Sequence, residues 1–384
     1  MKKNITNLNK ILRKGNKIKY YNNLNSDLSY EELPIINKRI VLNNYDSFLT
    51  SNFIENCYYL KTSGTTCEPL TVIWKDSDYI KSNYYIWNLR KKWYNINPTD
   101  KMCTFHVYYG NSLINNKIYR KDNVLSLKRG YFDQETLKNY IDEIISFSPK
   151  WIQGPVSIVL LICEYVKNKN LKFDFLKYIE LNGEFVYKEN ITYIKNVLNV
   201  EVSNLYGAIE FNSIAFTCPK GHMHIIEKNV FVESQKNNEL LVSTLTNSLM
   251  PLIKYQIGDK GIILENPNCK YSDSKILILE EARVNEIIRI NDIHIDLRAL
   301  YEIIEFISLD VPSVVIHKFF IRKITNDIFV MIVIPKEFIT VLQNRVNYYE
   351  RKINLRSAIQ LIIKFITVDD VNLDKKIKFF EEVK

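Results

Sequence analysis

Glycine and proline are scarce in this sequence, with 10 of each among 384 residues. No internal repeat and no long linker rich in Gly, Ser or Pro interrupts the chain, so its parts are expected to pack against one another. Long apolar runs are missing as well. The longest, "VSIVLLIC" (156–163) and "IFVMIVIP" (328–335), are far shorter than the roughly 18 residues that span a bilayer, so no membrane partner is expected.

The cysteines show no disulfide framework, because the six of them are scattered at positions 57, 67, 103, 163, 218 and 269. In a cytosolic protein such thiols are free or bind a metal. The basic N-terminus lacks the apolar segment and the small-residue cleavage site of a secretory signal. We therefore expect a cytoplasmic protein.

The charge of the chain is basic but not clustered. The formal net charge is +9, yet the lysines are spread along the sequence without the interleaved aromatic residues typical of nucleic-acid binding. With 46% hydrophobic and 25% charged residues, the composition is that of a soluble globular protein. We expect no nucleic-acid partner and a mild preference for anionic ligands such as nucleotides, coenzyme A or an acidic carrier protein.

Strand-like and helix-like segments alternate from about residue 53. A helix is predicted over 76–94, with Ile80, Tyr84 and Trp87 on one face. Short strands at "KWIQG", "KYIELNGE" and "VEVSNLYG" are separated by further helices. This alternation predicts parallel βαβ units, whose ligands bind at the carboxyl ends of the strands.

The pattern becomes rich in strands beyond residue 210, and a smaller α+β unit follows after about residue 285. The predicted fold class is α/β. A large N-terminal domain of mixed and parallel sheets flanked by helices contains a β-rich subdomain, and a small mobile α+β domain follows it. We place the large N-terminal core at residues 1–284 and the small C-terminal lid at residues 285–384.

Four turns that follow predicted strands carry polar residues. They are "TSGTTCEP" (62–69), "LNGEFV" (181–186), "NLYGAIE" (204–210) and "YQIGD" (255–259). Four of the 10 glycines fall in these turns, namely Gly64, Gly183, Gly207 and Gly258. A turn rich in Gly, Ser and Thr exposes backbone N–H groups and hydroxyls that surround oxyanions, so the first turn is either a phosphate loop or an ordinary polar turn.

The order of these motifs resembles the adenylate-forming superfamily of acyl-CoA synthetases and peptide-synthetase adenylation domains. "TSGTTCEPLTV" resembles its phosphate loop, "YGAIE" its Tyr-Gly-x-Thr-Glu motif, "YQIGD" its Tyr-x-Thr-Gly-Asp motif and "EARVNEIIRINDIHID" its hinge segment. The sequence is most similar to the phenylacetate–coenzyme A ligase family, because no Lys follows Pro69, the chain is short and "LNGEFV" stands in place of Gly-Ala-Glu-Pro. The resemblance covers nearly the whole chain.

The resemblance implies formation of an acyl-adenylate, in which a carboxylate attacks the α-phosphate of ATP and Mg-pyrophosphate leaves. The residues that it assigns to the β- and γ-phosphates are Thr62, Ser63, Gly64, Thr65 and Thr66. The residues that it assigns to the adenine are Gly183, Glu184 and Tyr206, and it counts Gly207 among the nucleotide-binding residues. By the same resemblance, Glu210 would bind Mg²⁺, Asp259 would accept hydrogen bonds from the ribose hydroxyls, and Arg283 would approach the ribose or a phosphate.

Relatives also carry a lysine near the chain end that neutralises the α-phosphate and the attacking carboxylate. In "NLDKKIKFFEEVK" the resemblance assigns this role to Lys376, with Lys375 and Lys378 as competitors. Asn285 stands at the usual hinge Asp, and rotation of the C-terminal domain about it is expected to separate the two half-reactions.

Several positions depart from the pattern of the superfamily. Cys67 replaces the last glycine of the phosphate loop, Ile257 replaces a Thr, and Ala282 replaces a glycine. Asp292 replaces a glycine that lies near the pantetheine tunnel in relatives, which places a carboxylate where a thiol cosubstrate passes. The acyl acceptor is therefore open between coenzyme A, the pantetheine of a carrier protein and an amine.

A separate group of soft and borderline ligands lies in "CPKGHMH" and the distant "NPNC". Cys218, His222, His224 and Cys269 are ligands of the kind that tetrahedral zinc uses. The phenylacetate–coenzyme A ligase branch often has a Cys, a Gly-x-His and a later Cys-x-Cys. Here the second downstream cysteine is missing, and His222 can take its place. A structural zinc site and a surface hairpin with incidental thiols and imidazoles both account for these residues.

The acyl pocket is predicted by position, in 103–113 and 151–157. Its candidate residues are His106, Tyr108, Tyr109, Trp151 and Gln153. Aromatic side chains there suit an aryl or arylalkyl acid, or else they belong to the core.

The sequence thus predicts an AMP-forming carboxylate ligase that activates an aryl or small acyl acid and passes it to a thiol. Its cofactors are ATP and Mg²⁺, with a structural Zn²⁺ and coenzyme A left open. Its partners are a small carboxylic acid and, left open, an acyl or peptidyl carrier protein and a second copy in a homodimer. The alternatives are transfer of the adenylate to an amine and a catalytically silent relative that binds a nucleotide or a partner.

Overall fold

The computed structural model describes residues 18–22, 29–50, 56–62, 69–106, 118–129, 131–132, 134–265, 268–280, 287–290, 293–296, 307, 310–311, 314, 318–324, 327–354, 360–367, 370 and 380–383. The α-helices are α1 Lys19–Asn22, α2 Lys38–Asn43, α3 Asp76–Tyr94, α4 Gln134–Phe147, α5 Val156–Asn168, α6 Lys188–Leu198, α7 Ile339–Gln343 and α8 Val346–Asn354. Short 3₁₀ helices lie at Tyr30–Glu32, Tyr45–Phe48 and Lys336–Phe338. Among the described residues, no helix is long and apolar enough to cross a bilayer.

The β-strands account for most of the remaining regular structure. They are β1 Cys57–Lys61, β2 Thr71–Lys75, β3 Met102–His106, β4 Ile118–Lys121, β5 Val124–Lys128, β6 Tyr131–Phe132, β7 Trp151–Gly154, β8 Tyr178–Asn182, β9 Glu201–Ala208, β10 Asn212–Thr217, β11 Met223–Ile225, β12 Val230–Ser234, β13 Glu239–Thr244, β14 Tyr255–Leu264, β15 Ile276–Leu279, β16 Ile287–Ile290, β17 Ile293–Asp296, β18 Lys318–Ile324, β19 Asp327–Val333, β20 Leu361–Ile366 and β21 Phe380–Val383.

One 12-stranded sheet organises the chain, in the order β12-β13-β14-β15-β11-β10-β9-β8-β7-β3-β5-β4. Its segment β9-β8-β7-β3-β5 is parallel, and its other strand pairs are antiparallel. The predicted α/β class with mixed and parallel sheets is therefore confirmed. The predicted strand-rich region beyond residue 210 corresponds to the antiparallel part, β10 to β15.

The parallel part of the sheet has one apolar face. Cys103, Ile152, Ile179 and Val202 lie side by side on adjacent strands and are buried with residues of helices α4, α5 and α6. Such a row, covered by crossover helices, is what βαβ units produce. Helix α3 covers part of the opposite face.

Helix α3 has the predicted limits but buries a different face. Asp76 and Asp78 in its first turn and two lysines in its last turn suit the helix dipole, and Asn95 ends it in the left-handed conformation. Ile80 and Tyr84, which share a face in sequence, are each 61% exposed. The buried face consists of Ser82, Ile86, Arg90 and Trp93. The face of helix α3 that packs on the sheet therefore contains an arginine, Arg90.

Arg90 pairs with a carboxylate in the middle of the sheet. Its Nε and Nη2 donate to the two oxygens of Glu180 on β8, at 2.7 and 2.6 Å. The guanidinium lies 4.6 Å from the Trp87 ring centroid and 5.5 Å from that of Trp151. Glu180 is fully buried, so the pair compensates a charge that water cannot reach. This tertiary contact decides which face of α3 meets the sheet.

Strand β14 joins the two antiparallel parts of the sheet. Its first residues, Tyr255 to Lys260, pair with β13, and Gly261 to Leu264 pair with β15. A Cβ on Gly261 would lie 2.8 Å from the carbonyl oxygen of Ile278, so the change of partner requires a glycine. The N-terminal segment also docks here, because Ile36 donates to the Lys254 carbonyl and accepts from the Gln256 N–H.

The segments beyond residue 286 form two further sheets. Strands β16 and β17 pair with each other, and β17 pairs with β6 of the N-terminal part. The remaining strands form a sheet in the order β20-β19-β18-β21, over a core cluster of residues from 307 onward. The predicted boundary at 284/285 lies outside the described residues and stays a prediction.

The Arg90→Leu variant is expected to lower the free energy of unfolding by ~3–5 kcal/mol, because it leaves the buried Glu180 carboxylate without its partner. Urea denaturation followed by circular dichroism measures this loss.

Arg120→Leu is the matched control. It removes a second Arg–Glu pair of similar length, Arg120–Glu143 at 2.5 Å, whose side chains are 40% and 32% exposed. Exposed pairs contribute at most about 1 kcal/mol, so this variant is expected to stay near the parent. Equal losses for the two variants would contradict the role given to Glu180.

Candidate functional site

Two of the four motif turns are joined by a crossed pair of hydrogen bonds. The Tyr206 hydroxyl of β9 donates to Oδ2 of Asp259 in β14, at 2.9 Å. In the opposite sense, the Tyr255 hydroxyl of β14 donates to Oε1 of Glu210, which follows β9, at 3.0 Å. Each motif therefore supplies a tyrosine to orient the carboxylate of the other. The predicted ribose and Mg²⁺ ligands are brought into one region of the structure.

The two carboxylates remain partly accessible, whereas Tyr255 is buried. Burial, and then the nearby Glu210 charge, raise the pKa of Tyr255 well above its usual value. The hydroxyl therefore keeps its proton at physiological pH and acts as a fixed donor. Glu210 retains a second oxygen for another ligand.

Gly207 allows the turn between β9 and β10 to close. A Cβ at this position would lie 2.3 Å from the carbonyl oxygen of Asn212, a separation that no side chain tolerates. The register of β9 and β10 shifts nearby, between Ser213 and Ala215. The glycine thus serves the close approach of two strands, which then holds Tyr206 and Glu210 on either side of it.

Thr62 closes the base of the predicted phosphate loop. Its backbone N–H donates to the Leu70 carbonyl at 2.9 Å, and its Oγ1 accepts from the Leu70 N–H at 2.9 Å. The hydroxyl can still donate one hydrogen bond. Residues Ser63, Gly64, Thr65, Thr66 and Cys67 lie outside the described residues.

The Glu184 carboxylate, predicted to line the adenine, is engaged by the start of helix α5. Its carboxylate accepts from the backbone N–H and the hydroxyl of Ser157, at 3.0 and 2.7 Å. Arg129 lies 3.8 Å away, and the Glu184 side chain is 1% exposed. The carboxylate thus satisfies the N-terminus of helix α5, and little of it is left to line an adenine ring. Gly183 stands beside it, in the turn after β8.

The predicted acyl-pocket residues separate into different environments. Trp151 is 1% exposed and packs against Trp87 and Tyr178, so it offers little surface to a ligand. Gln153, two residues further along β7, is half-buried and donates from Nε2 to Glu180 at 2.6 Å. His106 ends β3, but its side chain lies outside the description, as do Tyr108 and Tyr109.

Sequence reasoning missed a row of polar side chains beside this pocket. Ser126, Thr104, Gln153, Glu180 and Ser203 are neighbours in register on five adjacent parallel strands. Neighbours in register point to the same face of a sheet, here the face that meets helix α3. Each one is the third residue of its strand. That shared position, in strands otherwise largely apolar, is the pattern that could have revealed the row.

The four soft and borderline ligands converge. One ligand atom from each of Cys218, His222, His224 and Cys269 lies within 4.8 Å of those from the others. The two sulfurs are 3.8 Å apart, close to the separation of two thiolates bound tetrahedrally to one zinc at Zn–S distances of about 2.3 Å. Three of the residues are buried, which disfavours an incidental surface hairpin.

The imidazoles of this cluster fit metal binding. Nδ1 of His224 lies 2.9 Å from the Ser274 carbonyl oxygen, which fixes the tautomer with the proton on Nδ1 and leaves Nε2 as a lone-pair ligand. That Nε2 and Nδ1 of His222 are buried and have no hydrogen-bond partner within the described part of the chain. Burial also lowers the pKa of His224, so its imidazole is neutral at physiological pH.

Several predicted site residues lie outside the described residues. They are Arg283, Asn285 and Asp292 of the hinge segment and Lys375, Lys376 and Lys378 near the chain end. Their roles stay predictions.

No protein-family profile matches the chain. Protein CapK of Staphylococcus aureus is 28% identical over 162 residues, which are 40% of this chain and 36% of CapK. The matched part is thus little more than a third of that relative's length.

Solved structures match over most of the chain. The 2-hydroxyisobutyryl-CoA ligase in complex with 2-HIB-AMP and CoA, in the thioesterification state, gives a TM-score of 0.56 at 12% identity, over 91% of this chain and 80% of that one. In the postadenylation state with R3-HIB-AMP the score is 0.53 at 12% identity, over 94% and 82%. At such identities the likeness shows the fold alone. The chain has the fold of AMP-forming acyl-CoA ligases.

The Gly207→Ala variant is expected to lose ~1–3 kcal/mol of stability, because the added methyl forces β9 and β10 apart. Thermal or urea unfolding measures the loss. Gly258→Asn is the control, since Gly258 has φ +87° with no atom within 4 Å of a Cβ, and Asn tolerates positive φ better than most residues. A loss for Gly207→Ala no larger than for Gly258→Asn would refute the close-approach argument.

Proposed function

We propose that this protein is an ATP-dependent carboxylate ligase that forms an acyl-adenylate with release of pyrophosphate and then transfers the acyl group to a thiol. The observation that carries the proposal is the crossed pairing of Tyr206 with Asp259 and of Tyr255 with Glu210. It brings together two carboxylates of different motifs on a fold of AMP-forming acyl-CoA ligases. The relationship to the phenylacetate–coenzyme A ligase family is part of the proposal.

Asp259 is the proposed ribose ligand. An ionised carboxylate accepts hydrogen bonds from both ribose hydroxyls, and the Tyr206 hydroxyl on Oδ2 holds it in one orientation. Tyr206, Gly183 and Gly207 are proposed to border the adenine. Adenylate formation needs the carboxylate of the acid in line with the leaving pyrophosphate, so fixed nucleotide contacts contribute by positioning.

Glu210 is the proposed Mg²⁺ ligand. Its half-buried carboxylate supplies the hard oxygen donors that Mg²⁺ prefers, and the Tyr255 hydroxyl occupies only Oε1. When bound, the ion would neutralise charge on the phosphates. The fit rests on the donor type and on Oε2, which has no hydrogen-bond partner among the described residues.

The residues outside the described part keep the roles that the resemblance implies. Ser63, Gly64, Thr65 and Thr66 would contact the β- and γ-phosphates. Lys376 would neutralise the α-phosphate and the attacking carboxylate, with Arg283 near the ribose and Asn285 as the hinge. Thr62 anchors the base of that loop.

The second half-reaction has three candidate acceptors. Coenzyme A and the pantetheine of an acyl or peptidyl carrier protein are thiols, and an amine would give an amide. We favour a thiol, for which the fold supplies the support. An aryl or small acyl acid as substrate, a cytoplasmic location and a homodimer belong to the same proposal.

The purified protein is expected to catalyse ATP–pyrophosphate exchange that depends on a carboxylic acid, screened over a panel of aryl and small acyl acids. In Asp259→Asn the KM for ATP is expected to rise by about 10- to 150-fold, because hydrogen bonds to a charged group contribute roughly 1.5–3 kcal/mol. Initial rates of exchange at varied ATP measure this.

Asp174→Asn, at an exposed position, is the matched control and should behave as the parent. Lys376→Ala should abolish exchange and Lys378→Ala should not, which separates the competing lysines. Absence of exchange with every acid, in a folded protein, would instead support the catalytically silent relative.

We also propose that Cys218, His222, His224 and Cys269 bind a structural zinc ion. The convergence of four ligand atoms, the buried imidazole nitrogens without hydrogen bonds and the carbonyl on His224 Nδ1 support it. Four protein ligands complete a tetrahedral shell, which leaves no open position for a substrate and implies a structural role.

Protein purified without added zinc is expected to contain one zinc ion per chain, measured by plasma mass spectrometry. Cys269→Ser should lose the metal and lower the unfolding temperature, because the binding free energy of a structural metal is part of the folding free energy. Cys57→Ser, a half-buried thiol outside the cluster, is the control and should keep the zinc. A stable parent protein without metal would refute the site.

A further inference from the structure

The polar row across the sheet is closed at one end and open at the other. Glu180 and Ser203 are fully buried, where Arg90 and the Tyr178 hydroxyl contact them. Thr104 and Gln153, on the adjacent strands, are only half-buried. The open part lies close to the carboxyl ends of β3 and β7, where a parallel sheet binds its ligands.

The closed end dictates how the amide of Gln153 is oriented. Arg90 donates to both oxygens of Glu180, so both of these oxygens are hydrogen-bond acceptors. Its Oε1 must therefore receive the Nε2–H of Gln153, at 2.6 Å. An amide whose nitrogen is fixed on one side presents its carbonyl oxygen on the other.

The carbonyl oxygen of Gln153 is thus a directed acceptor. Within the described part of the chain, the hydrogen bond to Glu180 is the only one that the Gln153 side chain makes, and Oε1 is not among the buried atoms that lack a partner. On the described residues, this oxygen is therefore not fully buried. Thr104, the in-register neighbour on β3, adds a hydroxyl about 5 Å away across the strands.

The floor formed by Gln153 and Thr104 carries no net charge. The Glu180 charge beneath it is neutralised by Arg90, so an ammonium group would be desolvated there without a counter-ion. A neutral hydroxyl can donate a hydrogen bond to the carbonyl oxygen, and its desolvation costs far less than that of an ammonium group. A purely apolar group would leave the carbonyl oxygen without a hydrogen bond.

We infer that Gln153 is a specificity-determining residue, positioned by the Arg90–Glu180 pair, and that the acid activated by this protein carries a hydroxyl group that donates to its Oε1. The inference rests on the proposed function and names its substrate class, a hydroxy acid. Glu180 lies two residues, about 7 Å, from the end of β8 that precedes the Gly183 turn. The hydroxyl therefore binds within the span of a small acid from the nucleotide turn.

The test uses acids in matched sets. Aliphatic and aromatic hydroxy acids with the hydroxyl at different distances from the carboxylate are each compared with their deoxy and amino counterparts. In pyrophosphate exchange at least one hydroxy acid is expected to exceed its deoxy partner by about tenfold or more in kcat/KM, since a site that binds a hydroxyl discriminates against its absence. Equal rates within every set, or a preference for the amino acid, would overturn the inference and leave the function standing.

Gln153→Met tests the residue itself, because it keeps the length of the side chain and removes the acceptor. The ratio of hydroxy to deoxy acid is expected to fall towards one. Gln256→Met is the matched control, since Gln256 also donates to a glutamate, Glu239, at 2.7 Å. It should keep the parent ratio. An unchanged ratio in Gln153→Met would overturn the assignment.

Glu180→Gln tests the positioning role. An amide at residue 180 can offer either end to Gln153, so Gln153 is no longer held in one orientation. The KM for the hydroxy acid is expected to rise more than kcat falls, with a lower hydroxy-to-deoxy ratio. A merely structural role would lower both activities together and leave that ratio unchanged, which would contradict the positioning role.

Calorimetric binding of the same acids separates this inference from the proposed function. Tighter binding of the hydroxy acid to the parent, lost in Gln153→Met, supports the inference even where no acid promotes exchange, and in that case the ligase function fails alone. Equal binding of hydroxy and deoxy acids together with exchange would overturn the inference alone.

Discussion

The structure depends on the neutralisation of one buried carboxylate. Glu180 stands in the middle of the parallel sheet, where an unpaired charge is strongly destabilising, and Arg90 neutralises it with two hydrogen bonds. This requirement fixes the rotation of helix α3, so that Ile80 and Tyr84 face solvent although they are apolar. It also leaves Gln153 only one orientation for its amide. The packing of helix α3 and the proposed recognition by Gln153 thus follow from the same contact.

The proposed nucleotide side of the site is held together by a different set of contacts. Tyr206 and Tyr255 each orient a carboxylate from the other's motif, so neither β9 nor β14 can move alone without breaking two hydrogen bonds. Gly207 allows the backbone approach that this arrangement needs. Preorganised carboxylates require little rearrangement when a ligand arrives, which is how binding sites of this type gain affinity.

Local features of the fold were predictable, and tertiary ones were not. The limits of helix α3 follow from its charged ends and the period of its sequence, and its limits are confirmed. Its buried face could not be inferred, because an arginine on a core face makes sense only beside Glu180, 90 residues away. The motifs located the two carboxylates and Tyr206, but not the pairing of each carboxylate with the tyrosine of the other motif. Glu184 shows the converse, since its motif position gave no sign that Ser157 would engage its carboxylate.

The position of Asp259 in strand β14 links ligand contact to the pairing of the sheet. This residue lies two positions before the strand exchanges β13 for β15, at the glycine that permits the exchange. One continuous strand therefore connects the two antiparallel parts of the sheet. A ligand bound to Asp259 would contact this strand next to the point where its pairing partner changes. Binding of such a ligand would then stabilise the sheet, because a ligand that binds only the folded state shifts the folding equilibrium towards it.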